Sequence, residues 1–330
     1  MTDTRAIYHD IFAAFMTAPD AELEVLVQTR IAPNAVFDVS DPIGTLTGPD
    51  AILNGLLRPL RAALKHPQRR DLMLIGGENI REDGGDWLAS VAHITGLFHA
   101  PLFGVAPNGR MVFLRFGEFY RVENGQLTQA RIIVDLLHLL HEIDRYPLPG
   151  HYGTPVSFPA PATQDGICPA NRADGARSLD IVQNMLGALH VYDPDTFGSD
   201  YQTGSQGLWH RDFMWYGPGG IGSTTGWTGF VDHHRADFLR AFPDRKGGNH
   251  YCRIGDGNYA AVSGWPSMTM THQGPYLGVP ATGKPLTLRV MDFYRCTETQ
   301  IAENWVLLDY VHLLRQMGVD VLALAGEMTS

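Results

Sequence analysis

"HQGPYLGVPATGKPLTLRVMDFYR", residues 272–295, carries an aspartate at position 292 inside an alternating apolar run. "HAPLFGVAPNGRMVFLRFGEFYR", residues 99–121, carries a glutamate at the matching place, position 118. Gly104 to Arg121 and Gly278 to Arg295 align without a gap, and eight of the 18 positions are identical. The same spacing lays Asp135-x-x-His138-Leu-Leu on Asp309-x-x-His312-Leu-Leu, and "PIGTLTGPDAI" more loosely echoes "GIGSTTGWTGF". A single repeat of this length marks a duplicated domain, because solenoid units run only about 20–50 residues. Two homologous domains are expected, 1–145 and 176–330, joined by 146–175. The connector, "YPLPGHYGTPVSFPAPATQDGICPANRADG", is rich in Pro, Gly and small polar residues and reads as irregular and largely extended. Tyr152, Val156 and Phe158 are expected to lay it along a domain surface.

The 330 residues are 44% hydrophobic and 18% charged, with a formal net charge of −10. That is ordinary globular composition with ample core material. The acidic balance argues against a nucleic-acid backbone or an anionic membrane surface as partner. No run approaches the roughly 18 apolar residues of a membrane span, and the N-terminal stretch has no signal-peptide pattern. Cys168, Cys252 and Cys296 are odd in number and lack CxxC spacing, so neither a disulfide framework nor a zinc knuckle is indicated. A reduced, cytoplasmic setting is the expectation.

Each half runs through the same elements. Helices are expected over 3–17, 21–30 and 50–65, with a short strand at Val36–Val39. Strands follow near 69–76, 87–98, 110–121 and 126–134, then a helix opened by Asp135. In the second half helices are expected over 178–190 and 227–241, with a strand at 212–216. Strands follow near 248–254, 259–272, 284–295 and 299–308, and Asp309–Met317 closes as a helix. Helices first and hairpin-linked strands later indicate an α+β class with mostly antiparallel sheets. Side chains alternate along a strand, so Leu288, Val290, Asp292 and Tyr294 share one face, as do Leu114, Phe116, Glu118 and Tyr120. The opposite faces carry Arg289, Arg295, Arg115 and Arg121 and should point outward or into an interface. A carboxyl on the apolar face is either a structural ion-pair or cap, or a pocket acid/base whose apolar surround raises its pKa toward proton-transfer range.

The second half then shows a Gly-Asn hairpin, a strand ending in His272-x-Gly274 and Gly278-x-Pro280-x-Thr282-Gly283-Lys284. After these come Asp292-x-Tyr294-Arg295, Glu303-x-Trp305 and Asp309-x-x-x-Leu313-Leu314-x-Gln316-x-Gly318, and "FLRAFPD" (238–244) precedes the pattern. Together these resemble the SnoaL-like polyketide cyclase family, within the nuclear-transport-factor-2-like and ketosteroid-isomerase-like superfamily. The resemblance covers 178–320 well and 3–145 more faintly; the first copy has Arg131 where the second has Trp305, and Glu118 for Asp292. It implies two cystatin-like cones, each a curved sheet wrapped around helices and enclosing an apolar cavity. It implies ring closure by intramolecular aldol condensation, or isomerisation, without metal or organic cofactor. Asp292 takes the family's acid/base position and His272 its histidine, with Glu118 and His99 as first-copy counterparts. The first domain would serve as a built-in dimerisation partner, an intramolecular pseudo-dimer, with further self-association open.

Other residues carry two readings each. Trp209, Trp215 and Tyr216 in "GLWHRDFMWYGPGG" are core or walls near a pocket entrance, with His210 as a weak second donor. Met270 and Met268 share a strand face with His272. Tyr294 can stabilise an enolate oxygen, and Trp305 is a pocket wall or a sheet-packing residue. His250 and Cys252 would share a strand face lining the cavity. His233 and His234 diverge by about 100° on a helix and read as a solvated face, not a metal site. The expected ligand is a small apolar or polyketide-like carbonyl compound. A non-catalytic binding protein is the second reading. A third is hydrolysis such as epoxide opening, which would need Asp212 and Arg253 to meet.

Overall fold

The computed structural model describes residues 3–150, 152–155, 158–189, 191–198 and 207–328. Two six-stranded mixed sheets repeat one topology. The first contains β1 (Ile31–Val39), β2 (Gly44–Thr47), β3 (Leu64–Glu78), β4 (Asp86–Phe98), β5 (Met111–Glu123) and β6 (Gln126–Val134), in the order β2-β1-β6-β5-β4-β3. The second contains β7 (Trp209–Tyr216), β8 (Thr224–Thr225), β9 (Cys252–Asp256), β10 (Tyr259–Thr271), β11 (Pro285–Cys296) and β12 (Ile301–Leu308), in the order β8-β7-β12-β11-β10-β9. One pair in each sheet is parallel, β1 with β6 and β7 with β12, and the rest are antiparallel. The α+β class and the duplicated halves are those expected.

The helices follow from local signals. Asp135 and Asp309 open Leu136–Glu142 and Tyr310–Met317 by accepting from the His138 and His312 backbone N–H at 3.0 and 3.2 Å, the N-cap arrangement that satisfies otherwise orphaned donors. The helical stretches expected over 50–65 and 227–241 each contain a π turn, Leu53–Leu57 and Val231–Arg235, flanked by α-helix. The strand expected from 248 begins only at Cys252, because Gly247, Gly248 and Asn249 form a loop with Gly248 at φ +80°. β2, β8 and the helix Val321–Glu327 have no counterpart among the expected elements. Val156 and His190 lie outside the described residues.

The face of each sheet turned from its own helices packs against the other half. Met73, Trp87, Phe119 and Ile133 share one buried cluster with Tyr259, Met291, Phe293, Trp305 and Leu307, and the Phe119 and Phe293 rings lie 5.4 Å apart. Contact is close enough that a Cβ on Gly117 would meet Leu307 Cδ1 at 2.9 Å. The arginines of the alternating strands lie here, as an interface location requires. Arg115 is 1% exposed, stacks on Phe158 at 4.5 Å and donates to the Pro155 and Gly217 carbonyls. Arg289 reaches Asp309 at 2.8 Å and stacks on Trp265. The caps are reciprocal: the Gly219 N–H of the second half donates to Asp135, and the Asp41 N–H of the first donates to Asp309.

This layout decides two open readings and corrects one expectation. Trp305 and Tyr216 face the interdomain layer, ring to ring at 5.1 Å, with Trp305 donating to Pro159 O. Cys252 is in the same layer and does not share a face with His250. Replacing Trp305 by Ala should therefore cost about 3–5 kcal/mol of stability, measured by chemical denaturation. Small-ligand affinity of the folded variant should stay unchanged, whereas a pocket wall would weaken binding.

Candidate functional site

Asp292 sits mid-strand on β11, opposite Val262 on one side and Val306 on the other. Its side chain points inward with Leu288, Val290 and Tyr294 and reaches a cavity of about 130 Å³. Leu186 and Leu189 of the helix Gly175–Ala188 and its end, Phe238, Met268, His234, His250 and Arg245 contribute to the wall. What accessible area Asp292 keeps faces this cavity. Its nearest donors are the Tyr294 hydroxyl and Asn304 Nδ2, the latter at 3.5 Å. Burial pushes the carboxyl up to about 7, against the smaller opposing pull of those two hydrogen bonds. Burial and the neighbouring Asp292 hold the Tyr294 phenol well above its usual range, so it remains a donor.

The first half treats its carboxyl differently. Glu118 is 3% exposed and takes a two-pronged contact from Arg69, at 3.0 Å and 2.5 Å. Arg69 also bonds Asp71 and Ser90, and Tyr120 donates to Glu118 at 2.9 Å. Sheet register shows what changed between the copies. Leu74 faces Ser90, the partner of Glu118, as Arg253 faces Val262, the partner of Asp292. Ser90 thus corresponds to Val262, but further back the copies part: β3 runs on through a bulge between Asp71 and Met73 to Arg69, whereas β9 begins only at Cys252 and Gly248 and His250 lie in the loop before it. The guanidinium that satisfies Glu118 in the first copy has no counterpart paired with Asp292 in the second.

Two histidines share the cavity with Asp292. His234 stacks on Trp215 at 4.5 Å, and burial, then the Arg235 and Arg245 charges, lower its imidazole to about 3. It is a neutral ring on the inner side of the π turn, where a solvated face had been expected; only His233 is exposed. His250 is buried and its Nδ1 accepts from Arg253 Nε at 3.1 Å, which leaves the ring proton on Nε2.

Several expected members are elsewhere. His272 is fully buried against Phe242, with Nδ1 3.1 Å from Thr282 Oγ1. Its N–H pairs with Lys284 O, eight residues from Asp292 and roughly 25 Å along an extended strand. His272 is therefore not Asp292's partner in this cavity. Its counterpart His99 is exposed and far along β4 from Ser90. Trp209 is stacked on Phe213 at 4.5 Å in the core, and Trp215 stands behind His234. Met270 is core, while Met268 reaches the cavity after a bulge between Gly264 and Met268. His210 accepts from the Asp212 N–H at the surface. Asp212 is exposed and beside Arg211, whereas Arg253 bonds His250, Gln183 and Gly248, so the pair required for epoxide opening does not meet. His234 was legible in principle: Phe230, His234 and Phe238 are spaced four apart and share a helix face. Arg245, beyond the helix end, carried no periodic signal.

A duplicated α+β cone with an inward carboxyl and a small lined cavity defines the class. The SnoaL-like polyketide cyclase model matches residues 71–143 and 203–317, more than half of the chain, and the chain belongs to that family. Solved structures each match about one half. A candidate SnoaL-like polyketide cyclase from Jannaschia sp. CCS1 is 17% identical, covering 42% of this chain and 91% of its own, with TM-score 0.34. IdmH from Streptomyces antibioticus, a candidate polyketide cyclase, is 18% identical over 43% and 99%, with TM-score 0.36. An NTF2-like protein from Burkholderia thailandensis E264 is 18% identical over 44% and 98%, with TM-score 0.32. No curated protein matches the chain. Among the described residues, no helix is long and apolar enough to cross a membrane and no three His, Cys, Asp or Glu side chains are grouped to hold a metal ion.

Two outcomes follow from the contrast between the copies. The folded pKa of Asp292 lies above its unfolded value near 3.8. Its ionisation therefore opposes folding, with a penalty absent below about pH 4, growing to about pH 7 and constant above, on the order of 4 kcal/mol. Asp292→Asn should raise the melting temperature near pH 8 and leave it unchanged near pH 4, as read by thermal denaturation at the two pH values. Glu118→Gln should instead destabilise by roughly 3 kcal/mol, because it strips a buried guanidinium of its main partner; denaturant unfolding measures this.

Proposed function

We propose that the second half performs cofactor-independent acid/base catalysis on a small carbonyl compound, by intramolecular aldol closure or by isomerisation. What carries this proposal is Asp292: an inward carboxyl with no ion-pair partner among the described residues, facing a cavity, and poised near neutral pH. A general base works best when its pKa lies near the operating pH. The ionised carboxyl takes the proton from a carbon beside a carbonyl, and the electron pair moves into the enolate. The Tyr294 hydroxyl, held protonated by burial and the neighbouring Asp292, is the donor for a developing oxyanion, and the His250 ring lines the same cavity. In the aldol direction the enolate carbon attacks a second carbonyl of the same molecule, and the resulting alkoxide takes the proton back from Asp292. In isomerisation the proton returns to another carbon. In either case the carboxyl ends as it began.

The first half is read as a scaffold. Glu118, tied to Arg69 from two sides, lacks the free lone pairs that this chemistry needs, and the first-half hollow beside Met16, Arg61 and Gln68 is not lined by it.

Asp292→Asn should abolish turnover of a small 1,3-dicarbonyl or oxo-aldehyde test substrate while leaving the fold intact by circular dichroism. In the parent protein kcat/KM should rise with pH to a plateau above about 7, because the base must be ionised. Turnover in the Asn variant equal to the parent's, or a rate that falls through that range, would reject the assignment. Glu118→Gln should leave kcat unchanged.

A further inference from the structure

Arg245 reaches the cavity wall just past the helix Ala236–Ala241. Several buried or half-buried arginines keep a carboxylate within ion-pair distance, among them Arg5 with Asp256, Arg69 with Glu118, Arg115 with Asp135 and Arg289 with Asp309. Arg245 is half-buried, and among the described residues no carboxylate lies within that distance of it. Its guanidinium stands 5.2 Å from the Tyr192 ring centre, beside Arg235, whose Nε and Nη2 donate to the Phe197 and Leu189 carbonyls. Burial, then the Arg245 charge, lowers the proton affinity of Arg235; burial lowers that of Arg245 against a supporting hydrogen bond with Tyr192, and neither guanidinium influences Asp292. The wall thus has a positive end and, away from it, a single carboxyl. A half-buried guanidinium without a counterion is costly, and its planar donor fork matches a carboxylate.

We infer that Arg245 receives a carboxylate of the substrate, so that the compound acted on is a small oxo-carboxylate held with its acidic C–H at Asp292. This inference rests on the reading of Asp292 as the base. Size agrees: a cavity near 130 Å³ is close to the roughly 150 Å³ that accommodates benzene, enough for the carbon frame of a short oxo acid whose carboxylate sits at the Arg245 end. The ligand is therefore amphipathic, not purely apolar.

The test compares 4-oxopentanoate with hexane-2,5-dione, a neutral compound of the same shape, by calorimetric titration of the full chain. The parent protein should bind the oxo acid more tightly. In Arg245→Gln that preference should shrink by roughly 10- to 100-fold, the worth of one charge-assisted hydrogen-bonded contact, and Arg245→Lys should retain part of it. Asp292→Asn should keep the preference in full, since anion capture does not need the base. Equal binding of both compounds by the parent, binding of neither, or a preference that survives in Arg245→Gln overturns the inference. Loss of turnover in Asp292→Asn without any oxo-acid preference would sink Arg245 alone; preserved preference with undiminished turnover would sink the Asp292 assignment instead.

Discussion

A carboxyl group on the inner face of a β-strand has to be neutralised by a partner or left reluctant to ionise, and each half of this chain adopts one of these solutions. In the first, Arg69 satisfies both oxygens of Glu118 and occupies the space beside them. In the second, no cation among the described residues forms an ion pair with Asp292, and burial pushes its carboxyl up to about 7. The first arrangement holds the cone together. The second leaves a cavity and a destabilised anion, a structural cost of the kind that persists where function requires it. The same frame and the same strand position thus diverge through one guanidinium.

Duplication within one chain is what permits this divergence. In a symmetric homodimer both subunits carry the same residues, and any change at one site appears at the other. Here the two outer sheet faces meet across a layer of Trp87, Phe119, Met291, Phe293 and Trp305, and the connector contributes Phe158 to it. The reciprocal caps at Asp135 and Asp309 preserve the two-sided logic of a dimer. Once the interface is intramolecular, one copy can tie its carboxyl into a buried ion pair while the other leaves the matching carboxyl unpaired.

Much of this was readable in the residues. The repeat, the α+β class and the inward direction of Asp292 follow from strand alternation seen twice. The placement of His272 beside Asp292 failed for a geometric reason. Pairing spreads outward from the turn between His272 and Lys284, so Asp292 lies opposite Val262, at the other end of the hairpin. A motif orders residues along the chain but does not bring them to one point. His250 was found despite a wrong phase: the strand it was assigned to begins only at Cys252, and the loop, not alternation, turns its ring inward. Trp305 and Tyr216 were ambiguous because both faces of the sheet are apolar, one against the helices and one against the other half.

The paired π turns show which parts of the site are inherited and which are local. Each lies in the same helix of its half, and its fourth residue is Leu56 in the first copy and His234 in the second. Leu56 is buried in the core, whereas His234 lines the cavity, stacked on Trp215. Backbone irregularity at this place therefore does not distinguish the two halves, since both copies have it. The difference lies in residues that converge on it from separate elements: Gly248 and His250 from the loop, Asp292 from β11 and Arg245 from beyond the helix. Of these only Asp292 follows from strand periodicity, and so the fold was far more legible than the chemistry it holds.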